Sequence, residues 1–194
     1  MSSIHFRDID APAPKYEDVA AEHREIHRRW TTRAWIACLL EFRGRHRDIM
    51  PPGRWTALFF LDEATAFAAG HRPCGECRNV DYKRFKRAWC AGNDGDVAAP
   101  VGLIDVRLHA ERTARPRQTW EAPLAELPDG TVWLETGAPW VVAGHHIARW
   151  TPIGYREQRL RPDTGKVAVL TPPTMVAALA AGYQPALHPT WDRA

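Results

Sequence analysis

Two cysteines separated by two residues, in the string Pro73-Cys74-Gly75-Glu76-Cys77, constrain the fold more than any other feature of the chain. At that spacing a tight turn carries both sulfurs to one tetrahedral ion, and few backbone paths do so. Gly75 permits the turn, and Pro73 fixes the direction of approach. A helix read from Asn79 onward points its N–H groups and the positive end of its dipole at the thiols, which favours the thiolate that a metal needs. The same spacing also fits a redox dithiol or an inert structural pair.

A chain of 194 residues buries roughly 70% of its unfolded surface and needs no covalent staples. Asp8 and Asp10 stand where a signal peptide needs an apolar core, and no run approaches the roughly 18 apolar residues of a membrane helix. The expectation is a cytoplasmic protein without a membrane partner, in a compartment that keeps thiols reduced. At 45% hydrophobic and 25% charged residues the chain reads as folded rather than disordered. Its net charge of +3 is unevenly placed: up to Cys90 there are 16 Lys and Arg against 12 Asp and Glu, and from Ala91 onward 10 against 11. The basic excess travels with the C-x-x-C half.

Ala11 to Pro14 reads as a loose arm, and Tyr16 to Trp30 as a helix. Trp35 to Phe42 and Trp55 to Phe60 read as strands that pair in a hairpin across Arg43–Arg47 and Met50–Gly53. Asp62 suits a helix N-cap with Glu63 in the first turn, and Gly70 stops that helix just before the cysteines. Asn79 to Cys90 reads as a helix with Tyr82, Phe85 and Trp89 on one face. Val101 to Glu111 fits strand or helix; Thr131–Glu135, Pro139–Ala143 and Lys166–Leu170 read as strands, with turns at Asp129-Gly130 and Thr136-Gly137, and Pro173–Ala181 reads as a closing helix. Alanine-rich A-A-G-H-R-P-C near residue 70 is echoed by A-A-G-Y-Q-P-A near residue 182, which reads as shared helix-stop grammar rather than duplication. The expected class is α+β. Residues 1–92 form a basic, helical and hairpin half holding the metal turn, and residues 93–194 a β-rich half, separate or packed as one domain.

Phe59 to Cys77, F-F-L-D-E-A-T-A-F-A-A-G-H-R-P-C-G-E-C, resembles the second half of the zinc-binding, methyl-phosphotriester-accepting domain of the Ada DNA-repair proteins. The likeness implies that Cys74 and Cys77 bind zinc, with Arg72 near a DNA-facing side. That family adds two earlier cysteines three residues apart. Here Cys38 stands alone in an apolar run, and His46 is the other upstream candidate. A buried Cys38 has a raised pKa and makes a poor methyl acceptor.

P-C-G-E-C is also similar to the motif of the zinc cytidine deaminases, which joins two cysteines to an H-x-E. Two such strings exist, His23-Arg24-Glu25 upstream and His109-Ala110-Glu111 downstream, the latter in reverse order to that family. On the downstream string His109 joins Cys74, Cys77 and Cys38 as a candidate ligand, and Glu111 becomes a candidate general base for zinc-activated water. Cys90, beside Trp89, fits either a further ligand or a packing role.

Arg78, Lys83, Arg84, Lys86 and Arg87 put five cations on one short helix next to the metal turn, enough to neutralise several phosphates, with Arg72, Arg43, Arg45 and Arg47 nearby. The same run also reads as an ordinary wet helix face. Nine tryptophans, among them Trp120, Trp133, Trp140, Trp150 and Trp191, are mostly core material, with a few available to stack bases. His145 and His146, adjacent on a strand, face opposite ways. The function expected is a zinc-containing nucleic-acid-binding protein, DNA ahead of RNA, with DNA repair as its setting. The alternative is a zinc-dependent hydrolase or deaminase acting on a base or nucleoside, and the plainest reading is a structural zinc knuckle.

Overall fold

Asp62 and Glu63 start a helix whose side chains are buried all the way round, so the chain must bring other segments to cover it. A computed structural model of the protein describes residues 30–44, 58–114 and 118–194. Helix α1, Glu63–Ala68, begins on the Asp62 cap, whose side chain accepts from the Thr65 N–H, and ends before Gly70, where φ is +74°. Helix α2, Asn79–Gly92, buries Phe85, Ala88 and Trp89, while Tyr82 is half-buried. Helix α3 spans Gly102–Thr113 and buries Ile104 and Leu108, the helical spacing that resolves this segment in favour of helix. Helix α4, Pro173–Ala180, packs on α2, and Gly92 makes their approach possible: a Cβ there meets the Ala177 carbonyl oxygen at 2.2 Å.

Strand β1, Ile36–Ala37, pairs in parallel with β2, Arg72–Pro73. β1 thus has the segment before Cys74 as one partner, while the hairpin expected with Trp55–Phe60 falls partly outside the described residues. Residues 16–29 of the expected first helix and 55–57 of the second strand lie outside the described residues, and 58–60 are not part of a described strand.

The C-terminal half forms an antiparallel sheet of six strands: β3 Trp120–Pro123, β4 Val132–Glu135, β5 Ala138–Ala143, β6 His146–Thr151, β7 Gly154–Leu160 and β8 Lys166–Val169, in the order β3-β8-β4-β5-β6-β7. Thr136 and Gly137, both at positive φ, make the β4–β5 turn. Strand periodicity splits the sheet's side chains between two cores. Val132, Val141, Ala148, Trp150 and Tyr155 face the helices, while Trp133, Trp140, Val142, Ile147 and Val169 form a second cluster. The fold is α+β, and its main core crosses residue 92: Phe67 and Phe85 meet Tyr183 with ring centroids 5.2 and 5.8 Å away. No helix among the described residues is long and apolar enough to cross a membrane.

Asp62 and Glu63 are themselves buried. Asp62 Oδ1 accepts from the N–H and hydroxyl of Thr65 at 2.9 and 2.6 Å, and Oδ2 accepts from the Tyr155 hydroxyl and from the His188 N–H at 3.1 Å. Glu63 accepts from Arg78, from the Tyr183 hydroxyl at 2.8 Å and from the Ala186 N–H at 3.1 Å. Burial holds the Asp62 carboxyl above its ordinary range even with these donors. Tyr155→Phe removes one donor from an enclosed carboxylate and is expected to cost about 1–3 kcal/mol, read from the midpoint of guanidinium unfolding.

His71 is buried between Trp35 and Phe60, with ring centroids 5.1 and 4.5 Å away, and its Nδ1 has no hydrogen-bond partner among the described residues. Burial first, and the Arg112 guanidinium second, push its pKa from 6.5 down to about 3. Below 6.5 the unfolded chain gains a proton that the folded protein refuses until about pH 3, so stability present above that window is lost as pH falls through it. The slope from this one group is at most about 1.4 kcal/mol per pH unit. Unfolding curves across the window should fall less steeply for His71→Leu than for the wild type.

Candidate metal centre

Register explains how a lone cysteine joins the pair. In the β1–β2 ladder Ile36 lies opposite Arg72 and Ala37 opposite Pro73, so the next residues, Cys38 and Cys74, leave their strands side by side. The Arg72 and Cys74 N–H groups donate to Trp35 and Ala37 carbonyls, both at 3.1 Å. Cys74 to Cys77 then turns back: the Arg78 N–H donates to the Cys74 carbonyl at 3.2 Å and the Asn79 amide to the Gly75 carbonyl at 2.7 Å. A Cβ on Gly75 would touch the Tyr82 ring at 3.8 Å, so the turn rests closely on α2.

The sulfurs of Cys38, Cys74 and Cys77 all lie within 4.8 Å of one another. A tetrahedral ion with metal–sulfur bonds of about 2.3 Å holds its sulfurs about 3.8 Å apart, a spacing within that limit. Backbone donors already point at the ligands: the Leu39 N–H reaches Cys77 Sγ at 3.3 Å, and the Glu76 N–H reaches Cys74 Sγ at 3.4 Å. The same three cysteines, with Leu39, Leu40, Phe42 and Glu76, line a cavity of about 30 Å³, room for one water-sized particle.

Charge distinguishes this cluster from three inert thiols. Burial opposes the Cys74 thiolate, but the Cys77 and Glu76 N–H groups outweigh it and bring that pKa below the ordinary thiol value. Burial, then the neighbouring Cys74 and Cys77, push Cys38 up to about 12; burial, with Cys74 adding to it, also raises Cys77. The Cys74 thiolate is favoured, while those of Cys38 and Cys77 are opposed by burial and by the neighbouring Cys74. A cation among the sulfurs removes that resistance, and the group can hold a metal ion.

The other expected ligands and the expected base are not at this cluster. His109 lies on α3 with its ring 5.4 Å from Trp30 and 6.5 Å from Trp35, and its Nδ1 is 3.4 Å from Arg112. Glu111 accepts from the Thr174 hydroxyl at 2.7 Å at the start of α4, and burial holds its carboxyl above the ordinary range. Cys90 donates to the Asp96 carbonyl at 3.5 Å. His46, His23 and Glu25 lie outside the described residues.

Two of the six expected nucleic-acid contacts are structural. Arg72, 6% exposed, forms a two-pronged pair with Asp105 at 2.7 and 2.9 Å, and Arg78, 8% exposed, is held by Glu63 and Asp81. Both charges are spent inside the protein, because a buried guanidinium must be paired. Lys83, Arg84 and Arg87 are exposed and Lys86 half-buried. Asp81, three residues after Arg78, was the one local sign of these pairs; Asp105 and Glu63 stand far along the chain from their arginines.

Comparison of the chain with protein families, curated proteins and solved structures finds no match. The reading of the centre therefore rests on its own donors. Protein purified without chelator should carry about one metal ion per chain. Cys38→Ser, Cys74→Ser and Cys77→Ser should each lose most of it while Cys90→Ser keeps it, as measured by plasma mass spectrometry of the folded variants.

Proposed function

We propose that the chain is a zinc-containing nucleic-acid-binding protein, DNA ahead of RNA, with DNA repair as the setting that the Ada likeness implies. The observation that carries the proposal is the position of the three-cysteine cluster at the foot of α2, with Cys77 just ahead of the helix that displays Lys83, Arg84 and Arg87. Zinc is the choice because clustered thiolates select soft or borderline ions, and zinc takes them without redox chemistry. Bound there, it supplies a fixed divalent charge that holds three thiolates together.

The protein's own residues do the rest. Phe85, Ala88 and Trp89 bury one face of α2, which turns the cations of the opposite face outward. Arg78 anchors the start of α2 to Glu63 and Asp81, and Arg72 ties β2 to Asp105 on α3. They position the basic face, and Lys83, Arg84, Lys86 and Arg87 contact phosphate.

A hydrolase or deaminase reading would draw on an ion held by three cysteines, which leaves one ligand position for water. Glu111, hydrogen-bonded to Thr174, and His109, packed near Trp30 and Trp35, do not help it. Neutralising Lys83, Arg84, Lys86 and Arg87 together should weaken binding of labelled DNA at least about tenfold at low salt. It should also flatten the dependence of log affinity on log salt, by about 0.9 on duplex for each phosphate that is no longer neutralised. Fluorescence anisotropy over a salt series reads both quantities. Unchanged affinity in the folded quadruple variant would remove α2 as the binding face.

A further inference from the structure

The six-stranded sheet carries a row of directly opposed residues across its full width: Trp120, Val169, Trp133, Trp140, Arg149 and Arg156. Opposed residues share a face, so aromatic side chains give way to guanidiniums along one line. Trp133 and Trp140 stack with centroids 6.3 Å apart, but at 2% and 5% exposure they offer no open ring to a ligand. Beyond them the row ends in two arginines set opposite each other, an arrangement that costs stability unless an anion answers it. Glu157 answers Arg149. It does so from a left-handed backbone, φ +55°, in the strand pair whose register shifts between Ile147 and Arg149. Such bulges and strained residues re-aim side chains, and they concentrate at binding sites.

Arg159 is the side chain most clearly prepared. Its guanidinium lies 4.4 Å from the Trp140 ring centroid, Glu135 holds one edge, and the side chain remains 46% exposed. The Trp140 ring and Glu135 together restrain the cation. It borders an open cavity of about 540 Å³ that Thr136, Trp140, Arg149 and Gln158 also line. That volume lies in the range that takes one small molecule or one residue of a polymer.

We propose that this cavity receives an unpaired base of a single-stranded nucleic acid, stacked on the Arg159 guanidinium. The inference rests on the nucleic-acid reading above and adds the form of the strand. A flat cation presented face-on selects a planar ring, and only an unpaired base offers a free face to it. Thr136, Glu135 and Gln158 supply donors and acceptors for the base edge. The two glutamates of the lining cancel its two arginines, and exposed Arg156, opposite Arg149, adds the positive charge that a neighbouring phosphate meets. A neutral sugar would have no use for that opposed pair of cations, and a bare anion would have no use for the stacked plane.

The test measures anisotropy of a labelled oligothymidylate and of a duplex of equal length, using the full chain with its metal, as wild type, Arg159→Ala and Arg159→Lys. Arg159 is exposed enough for both variants to fold, which circular dichroism checks. Expected results are tighter binding of the single strand than of the duplex, a loss of at least about fivefold on the single strand in Arg159→Ala with the duplex unaffected, and a similar loss in Arg159→Lys, which keeps the charge and loses the plane. Single-strand affinity unchanged in Arg159→Ala, or fully restored in Arg159→Lys, overturns the stacking site and leaves the nucleic-acid reading standing. Failure of the wild type to bind either DNA overturns both.

Discussion

Two consecutive buried carboxylates, Asp62 and Glu63, hold the parts of this protein in register. Asp62 takes donors from Thr65, from Tyr155 on β7 and from His188 near the C-terminus; Glu63 takes them from Arg78 at the head of α2, from Tyr183 and from Ala186. One short helix start thus fixes the sheet, the C-terminal segment and the basic helix. A buried ion pair contributes little net stability, because desolvation offsets most of its attraction, yet removing one partner leaves a charge stranded in the core. Arg78 directly follows Cys77, so this network also sets where the metal turn ends.

The same economy of charge bears on the cysteines. Arg72 and Arg78 flank the C-x-x-C by two residues and by one, and a chain that used its thiolates as free nucleophiles would be expected to leave such cations facing them. Here Asp105 takes the first, and Glu63 with Asp81 the second. The thiolates therefore draw support from backbone N–H groups, which stabilise one negative charge well and three poorly. A cation among the sulfurs would balance the remaining charge, and the group could hold a metal ion.

Local chemistry made much of this legible. The Asp62 cap, the Gly70 stop, the buried face of α2, the Thr136-Gly137 turn and helix α4 all follow from short-range rules that tertiary packing did not override. Strands β6 and β7 were harder to see, because His146, Arg149 and the exposed run Arg156–Leu160 give polar sequences with little apolar alternation. Cys38 was one of several candidate third ligands until the parallel β1–β2 register set it beside Cys74, and a two-residue ladder between segments far apart in sequence leaves no periodic trace. Arg72 and Arg78 misled for a related reason: a cation in a basic run looks solvated until its distant carboxylate is found.

Arginines laid on aromatic rings recur across the molecule, and their exposure separates two uses. Arg112 lies 3.8 Å from the Trp35 ring centroid with its two Nη groups donating to the Gly70 and Arg33 carbonyls, and burial first brings its pKa down to about 9. That cation is mortar. Arg84 over Tyr183 and Arg159 over Trp140 are 47% and 46% exposed, each fixed on one side by a ring and near a carboxylate, Asp81 or Glu135. A guanidinium fixed in this way has surrendered its rotamer freedom on folding, so binding a phosphate or a base costs it less than it would cost a free lysine. The protein has paired its deep arginines and pre-oriented two shallow ones, one on the outer side of α2 and one on the β5–β7 face of the sheet.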